Sequence, residues 1–194
     1  MVLLLVGATV LYNSLRDGTD SNQLATLTPT QATTAAPVET TAPQEEDTTP
    51  TDTQAAYTAP DFTVVDAQGN EVTLSQFFGK PIVLNFWASW CGPCKMEMPD
   101  FQEKYEQLGE DVHFLMVNMT AGRETLESAT EFLEEVGYTF PVYFDTQEDA
   151  AYTYSVYSLP TTYFIDAEGV PIAQATGALD AATLQKGINM IYTP

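Results

Sequence analysis

The strongest constraint on the fold is a strand-length apolar run, Ile82-Val-Leu-Asn-Phe-Trp87, that gives way almost at once to Cys91-Gly92-Pro93-Cys94. A run of this length interrupted only by Asn85 has the pattern of a central strand covered on both faces. From Cys91 onward Cys94, Met98, Phe101, Tyr105 and Leu108 recur at helical spacing, and Gly109 stops the helix. The chain therefore predicts a buried strand feeding directly into a helix, with a cysteine at the junction.

The remaining pattern supplies the layers around that unit. Phe62 to Val65 and Val72 to Leu74 read as a hairpin about the turn Ala67-Gln68-Gly69-Asn70, and Val112 to Asn118 reads as a further strand. Leu126, Ala129, Leu133 and Val136 mark an amphipathic helix, with Glu124, Glu127, Glu131 and Glu134 expected to face water and Gly137 to end it. Three strands follow, Val142 to Phe144, Thr161 to Ile165 and Ile172 to Thr176, the last two joined through Ala167-Glu168-Gly169. Ala181, Leu184, Ile188 and Ile191 close the chain as a helix, with Asp180 as N-cap. This is the pattern of an α/β fold: a central mixed sheet flanked by helices, opened by an N-terminal β-hairpin.

Composition divides the chain in three. Residues 59–194 carry the periodic segments and are expected to form one domain. Residues 19–58 are rich in Thr, Ala, Pro, Gln and acid and read as a disordered linker. Within residues 1–18, the apolar run Val2 to Tyr12 is shorter than the roughly 20 residues that span a bilayer core, and no basic residue precedes it. It is expected to be the remnant of a signal or membrane anchor whose first part is missing; the alternative is an N-terminal strand or helix, which the linker would separate from any core. The formal charge is -21, and only seven of the 27 acids precede Asp61. So acidic a domain is a poor nucleic-acid binder; its charge serves solubility or steers it toward basic proteins.

The chemistry rests on two cysteines three positions apart, the only cysteines in the chain. In the first turn of a helix a thiolate meets unpaired N–H groups and the positive end of the helix dipole, which favours Cys91 as nucleophile. Pro93 suits that first turn, Gly92 lets a partner approach, and Cys94, on the apolar face, is placed to resolve a mixed disulfide. Three other readings exist. Half a zinc site lacks a second ligand pair, since the single histidine, His113, falls inside a strand and reads as structural. A haem attachment site needs His where Lys95 stands, and a static disulfide across so small a loop would add little stability.

At these residues the chain resembles the thioredoxin superfamily, and within it the extracytoplasmic ResA/TlpA-like thiol-disulfide oxidoreductases, whose domains are of the AhpC/TSA redoxin type. The resemblance covers Ala59 to Pro194. It is carried by Val83-Leu-Asn-Phe-Trp-Ala-Ser-Trp-Cys-Gly-Pro-Cys-Lys-Met-Glu-Met-Pro99 and by Leu159-Pro-Thr-Thr-Tyr-Phe-Ile-Asp166. It implies a thioredoxin-like fold with an inserted strand-helix unit, here about Val112 to Val136. It implies that Pro160 is a cis-proline against the cysteines, that Leu159 pairs with an extended client segment, and that Trp90, Gly92 and Pro93 line the binding surface. The resemblance also places a glutamate three residues after the second cysteine, here Glu97. Helical geometry sets Glu97 at least half-buried beside the apolar face, where a carboxyl group with a raised pKa would exchange a proton with Cys94. Solvated helix surface is the alternative for Glu97, as an ordinary trans turn is for Pro160. Asn85 departs from the titratable aspartate of cytoplasmic thioredoxins, and the Pro and Thr that precede a peroxidatic cysteine at set spacing are absent before Cys91.

These features predict a membrane-anchored or secreted bacterial enzyme that reduces protein disulfides through its dithiol without cofactor or metal. The resemblance adds a membrane electron donor of the CcdA/DsbD type, and a monomer is expected. The alternatives are a disulfide oxidase or isomerase, and a redox-inert thioredoxin-like binding module. The intact cysteine pair argues against the last.

Overall fold

The computed structural model describes residues 24–27 and 57–194. The run Val2 to Tyr12 and most of the segment 19–58 lie outside the described residues. Strands β1 (Ala25–Thr26), β2 (Thr63–Asp66), β3 (Glu71–Thr73), β4 (Ile82–Trp87), β5 (His113–Asn118), β6 (Val142–Phe144), β7 (Thr161–Ile165) and β8 (Pro171–Thr176) form one sheet in the order β1-β8-β7-β4-β5-β6-β2-β3. β4, β5 and β6 are parallel neighbours, and the other pairs are antiparallel. Helices α1 (Gly92–Leu108), α2 (Leu126–Val136), α3 (Asp149–Thr153) and α4 (Ala181–Ile191) flank it.

Alternation along β4 divides the core between the two faces of the sheet. Val83 and Trp87 pack with Met98 and Phe101 of α1 and Leu184 and Ile188 of α4. Ile82, Leu84 and Phe86 pack on the other side with Phe62, Leu74 and Tyr154. Asn85 lies in the register of Val83 and Trp87, so its amide is turned toward α1. One polar residue in the central strand thereby meets the helix that carries the cysteines.

Some boundaries differ from the sequence pattern. Leu74 does not extend β3 but opens a 3-10 turn, Leu74–Phe77, in which its side chain is fully buried. α3 was not legible, being only five residues long and preceded by Glu148 in a left-handed conformation (φ 58°). The unit predicted at Val112 to Val136 contains β5, which pairs with β4 along its whole length at the centre of the sheet. β6, which follows α2, pairs with β5 on one side and β2 on the other and so joins the N-terminal hairpin to the centre of the sheet.

The largest difference lies at Leu24 to Leu27, which composition assigns to the linker. Ala25 and Thr26 pair with Gln174 and Ala173, and the Leu27 N–H donates to the Ile172 carbonyl at 2.9 Å. Leu24 packs against the core on one face and Leu27 against that on the other. Two leucines at alternate faces of a short strand can outweigh the local cost of ordering that a forty-residue average composition implies. Replacing both Leu24 and Leu27 with Ser is therefore expected to cost about 1–2 kcal/mol, as loss of two half-buried leucine side chains. Chemical denaturation would show it as a lower midpoint at unchanged slope; an unchanged midpoint would mean that β1 adds nothing to the fold.

Candidate active site

Cys91 is the N-cap of α1, with extended backbone (φ -81°, ψ 106°), and its Sγ accepts the Cys94 N–H at 3.2 Å. Pro93 sits in the first turn, where its missing N–H removes no helical hydrogen bond. Cys91 and Cys94 are joined in a disulfide with their Cα atoms 5.3 Å apart. Cys91 is 4% exposed and Cys94 is 0% exposed, so the access that exists leads to Cys91. Gly92 and Pro93 are exposed beside it, and Trp90 is 45% exposed on its other side.

The Leu159–Pro160 peptide bond is cis, and the Pro160 carbonyl accepts the Gly177 N–H at 2.9 Å, which ties the start of β7 to the end of β8. Leu159 is half-buried and packs against the core on both faces of the sheet.

Glu97, one helical turn after Cys94, is only 2% exposed, deeper than helical geometry required. Its Oε1 accepts from Asn85 Nδ2 at 2.8 Å, and its Oε2 accepts the Leu179 N–H at 2.7 Å. Asn85 Nδ2 also donates to Thr162 Oγ1 at 3.0 Å, while Asn85 Oδ1 is buried without a partner. Burial pushes the Glu97 carboxyl up to about 7, reinforced by the charge of Asp100 and opposed by the hydrogen bonds from Leu179 and Asn85. The group can therefore hold or release a proton near neutrality. If the Asn85 amide turns over, Oδ1 can accept from a protonated Glu97, so one neighbour can serve both charge states.

Glu124 is the residue whose position the sequence pattern misassigned. It was expected on the wet face of α2, but the helix begins at Leu126 behind the N-cap Thr125, and Glu124 turns inward at 3% exposed. Its Oε1 accepts the Ser89 N–H at 2.8 Å and Asn118 Nδ2 at 2.9 Å, and its Oε2 accepts the Ser89 hydroxyl at 2.9 Å. The signal that could place the helix start is Thr125, a preferred N-cap residue, whose hydroxyl accepts the Ser128 N–H in a capping box.

His113 begins β5 and packs edge-on against Phe77 at 5.2 Å, with its pKa lowered by burial and then by Lys80. Among the described residues no group of three or more His, Cys, Asp or Glu side chains could hold a metal ion. Nor is any helix among them long and apolar enough to cross a membrane.

A mixed sheet of this order, with a cysteine pair at the mouth of the helix after its central strand and a cis-proline at the start of β7, defines a thioredoxin-like thiol-disulfide oxidoreductase. Residues 55–172 match the model of the AhpC/TSA family, and the chain belongs to that family. It is 37% identical over 135 residues to the thiol-disulfide oxidoreductase ResA of Geobacillus kaustophilus, a match covering 69% of this chain and 76% of the relative. Against ResA of Bacillus subtilis it is 33% identical over 134 residues, covering 69% and 73%. The exposed lipoprotein thioredoxin Etrx1 of Streptococcus pneumoniae superposes with a TM-score of 0.60 at 29% identity, covering 67% of this chain and 98% of Etrx1. The chain is thus an enzyme of thiol-disulfide exchange.

Proposed function

We propose that the protein works outside the cytoplasm as a reductant of protein disulfides. The observation that carries this reading is Cys91 at the N-terminus of α1, its sulfur already facing the Cys94 N–H. A thiolate at Cys91 attacks one sulfur of a client disulfide and expels the other as thiolate, giving a Cys91-client mixed disulfide. Cys94 then gives up its proton and attacks the Cys91 sulfur, releasing the client as a dithiol and leaving the Cys91–Cys94 disulfide. Glu97 receives the Cys94 proton, and the backbone at Leu159 beside cis-Pro160 aligns the client against Trp90, Gly92 and Pro93. The oxidised pair is returned to the dithiol by a membrane electron donor of the CcdA/DsbD type.

An extracytoplasmic setting fits the exposed lipoprotein Etrx1 among its structural relatives. The direction of β1 bears on how an anchor at Val2 to Tyr12 would hold the domain. Antiparallel pairing points the start of β1 toward the Thr176 end of β8, which adjoins Pro160. Only the 11 residues 13–23 would then separate membrane from sheet, roughly 35–40 Å at full extension. A monomer anchored in this way works close to the bilayer, where a membrane donor would meet it.

The reducing direction is supported by the Gly-Pro between the cysteines and is tested by titrating the Cys91/Cys94 couple against glutathione or dithiothreitol buffers. A midpoint near the roughly -270 mV of thioredoxin is expected, whereas one near the -120 mV of a DsbA-type oxidant would reverse the assignment.

A further inference from the structure

We propose that the loop Thr120 to Thr125 is a client-reading wall of the active site, in which Arg123 receives an acidic side chain next to the client's disulfide cysteine. The proposal deepens the reading above, since it takes a protein disulfide as the substrate. Glu124 fixes the wall: three hydrogen bonds from Ser89 and Asn118 clasp the loop to the segment that leads into Cys91. A buried carboxylate with three donors has little freedom, so the neighbouring Arg123 is held in place at its backbone.

Arg123 itself is exposed, and its Cζ lies 3.7 Å from the centroid of the Trp90 ring, directly before Cys91. Stacking on an indole face orients a guanidinium while leaving its in-plane N–H donors for another acceptor. The chain has 27 acids against six Lys and Arg, yet Arg123 meets an aromatic ring and forms no ion pair among the described residues. Lys95, in the first turn of α1, is likewise exposed and sits 4.7 Å from the Phe132 ring of α2. Two of the few cations of an acidic protein therefore stand on aromatic rings, one on the residue directly before Cys91 and the other on α2. Charges beyond about 10 Å are screened at 0.1 M salt, so these local cations, rather than the net charge, act on residues adjoining the client cysteine.

The test uses two disulfide peptides of matched sequence, one with Asp and one with Lys beside the attacked cysteine, and the reduced protein in wild-type and Arg123→Glu forms. The readout is the ratio of the two second-order rate constants within each form, which cancels any general change in thiol reactivity. Charge reversal is expected to lower the Asp-to-Lys ratio about fivefold to tenfold at low salt, as four weak exposed charge-pair interactions combine, and the difference should shrink at 0.5 M NaCl. A ratio unchanged within twofold would overturn the proposal and leave Arg123 as a support for Trp90. Failure of both peptides to react with the wild-type dithiol would instead overturn the reductant reading, and the wall with it.

Discussion

Glu97→Gln is expected to slow disulfide exchange about 10²-fold, the usual loss when a general base is removed, while leaving the protein folded. The substitution is nearly isosteric, and its amide oxygen can still accept the Leu179 N–H that Glu97 Oε2 accepts. Once the Asn85 amide turns over, the Gln amide nitrogen can donate to Asn85 Oδ1, which is buried without a partner opposite the carboxylate. The rate of reducing a protein disulfide, followed against pH, separates a proton carrier from a mere charge. A proton carrier gives the wild type a titration near 7, where burial places the Glu97 carboxyl, and that step vanishes in the variant. A charge effect would be smaller and would fade with salt.

Stability should move with the same group. The carboxyl titrates near its ordinary 4.5 in the unfolded chain and near 7 in the folded one, so between these values the folded state binds more protons. Its stabilising contribution is complete below about pH 4.5 and is lost as pH rises through 7, amounting to about 3 kcal/mol. Denaturation midpoints of Glu97→Gln should lack this fall. A variant whose stability and rate profiles both superimpose on those of the wild type would make Glu97 an inert buried group.

The central βαβ unit was legible because its signals agree. The apolar run of β4, the helical spacing from Cys94 to Leu108 and the glycine after it all specify one arrangement, and the cysteine pair falls at its mouth. Asp180 was readable as an N-cap from its place before a periodic segment, and its carboxylate accepts the Thr183 N–H at 2.7 Å. What escaped the sequence was decided by long-range pairing. Nothing local distinguishes Leu24 and Leu27 from their Thr-rich surroundings until β8 offers an edge. Glu124 follows the same rule in reverse: helical periodicity extended two residues too far made it a surface residue, whereas Ser89, 35 positions earlier, supplies two donors that draw it inward. Glu97 was placed near the apolar face by counting, but its full burial depends on β4 and on the loop before α4, which meet only in the fold.

Cys91→Ser should abolish turnover, and Cys94→Ser should accumulate a covalent intermediate, because only the first cysteine has access and a capping N–H to stabilise its thiolate. Without Cys94 the first exchange still takes place, but no second thiol displaces the client. The effect is all or nothing for turnover, larger than any tuning by Glu97 or Arg123. The most direct measurement is to mix each single variant with a protein disulfide and identify the linked cysteine by mass spectrometry after non-reducing digestion. A Cys91-client adduct in Cys94→Ser, with none in Cys91→Ser, is the predicted result; an adduct at Cys94 in Cys91→Ser, with none in Cys94→Ser, would contradict it.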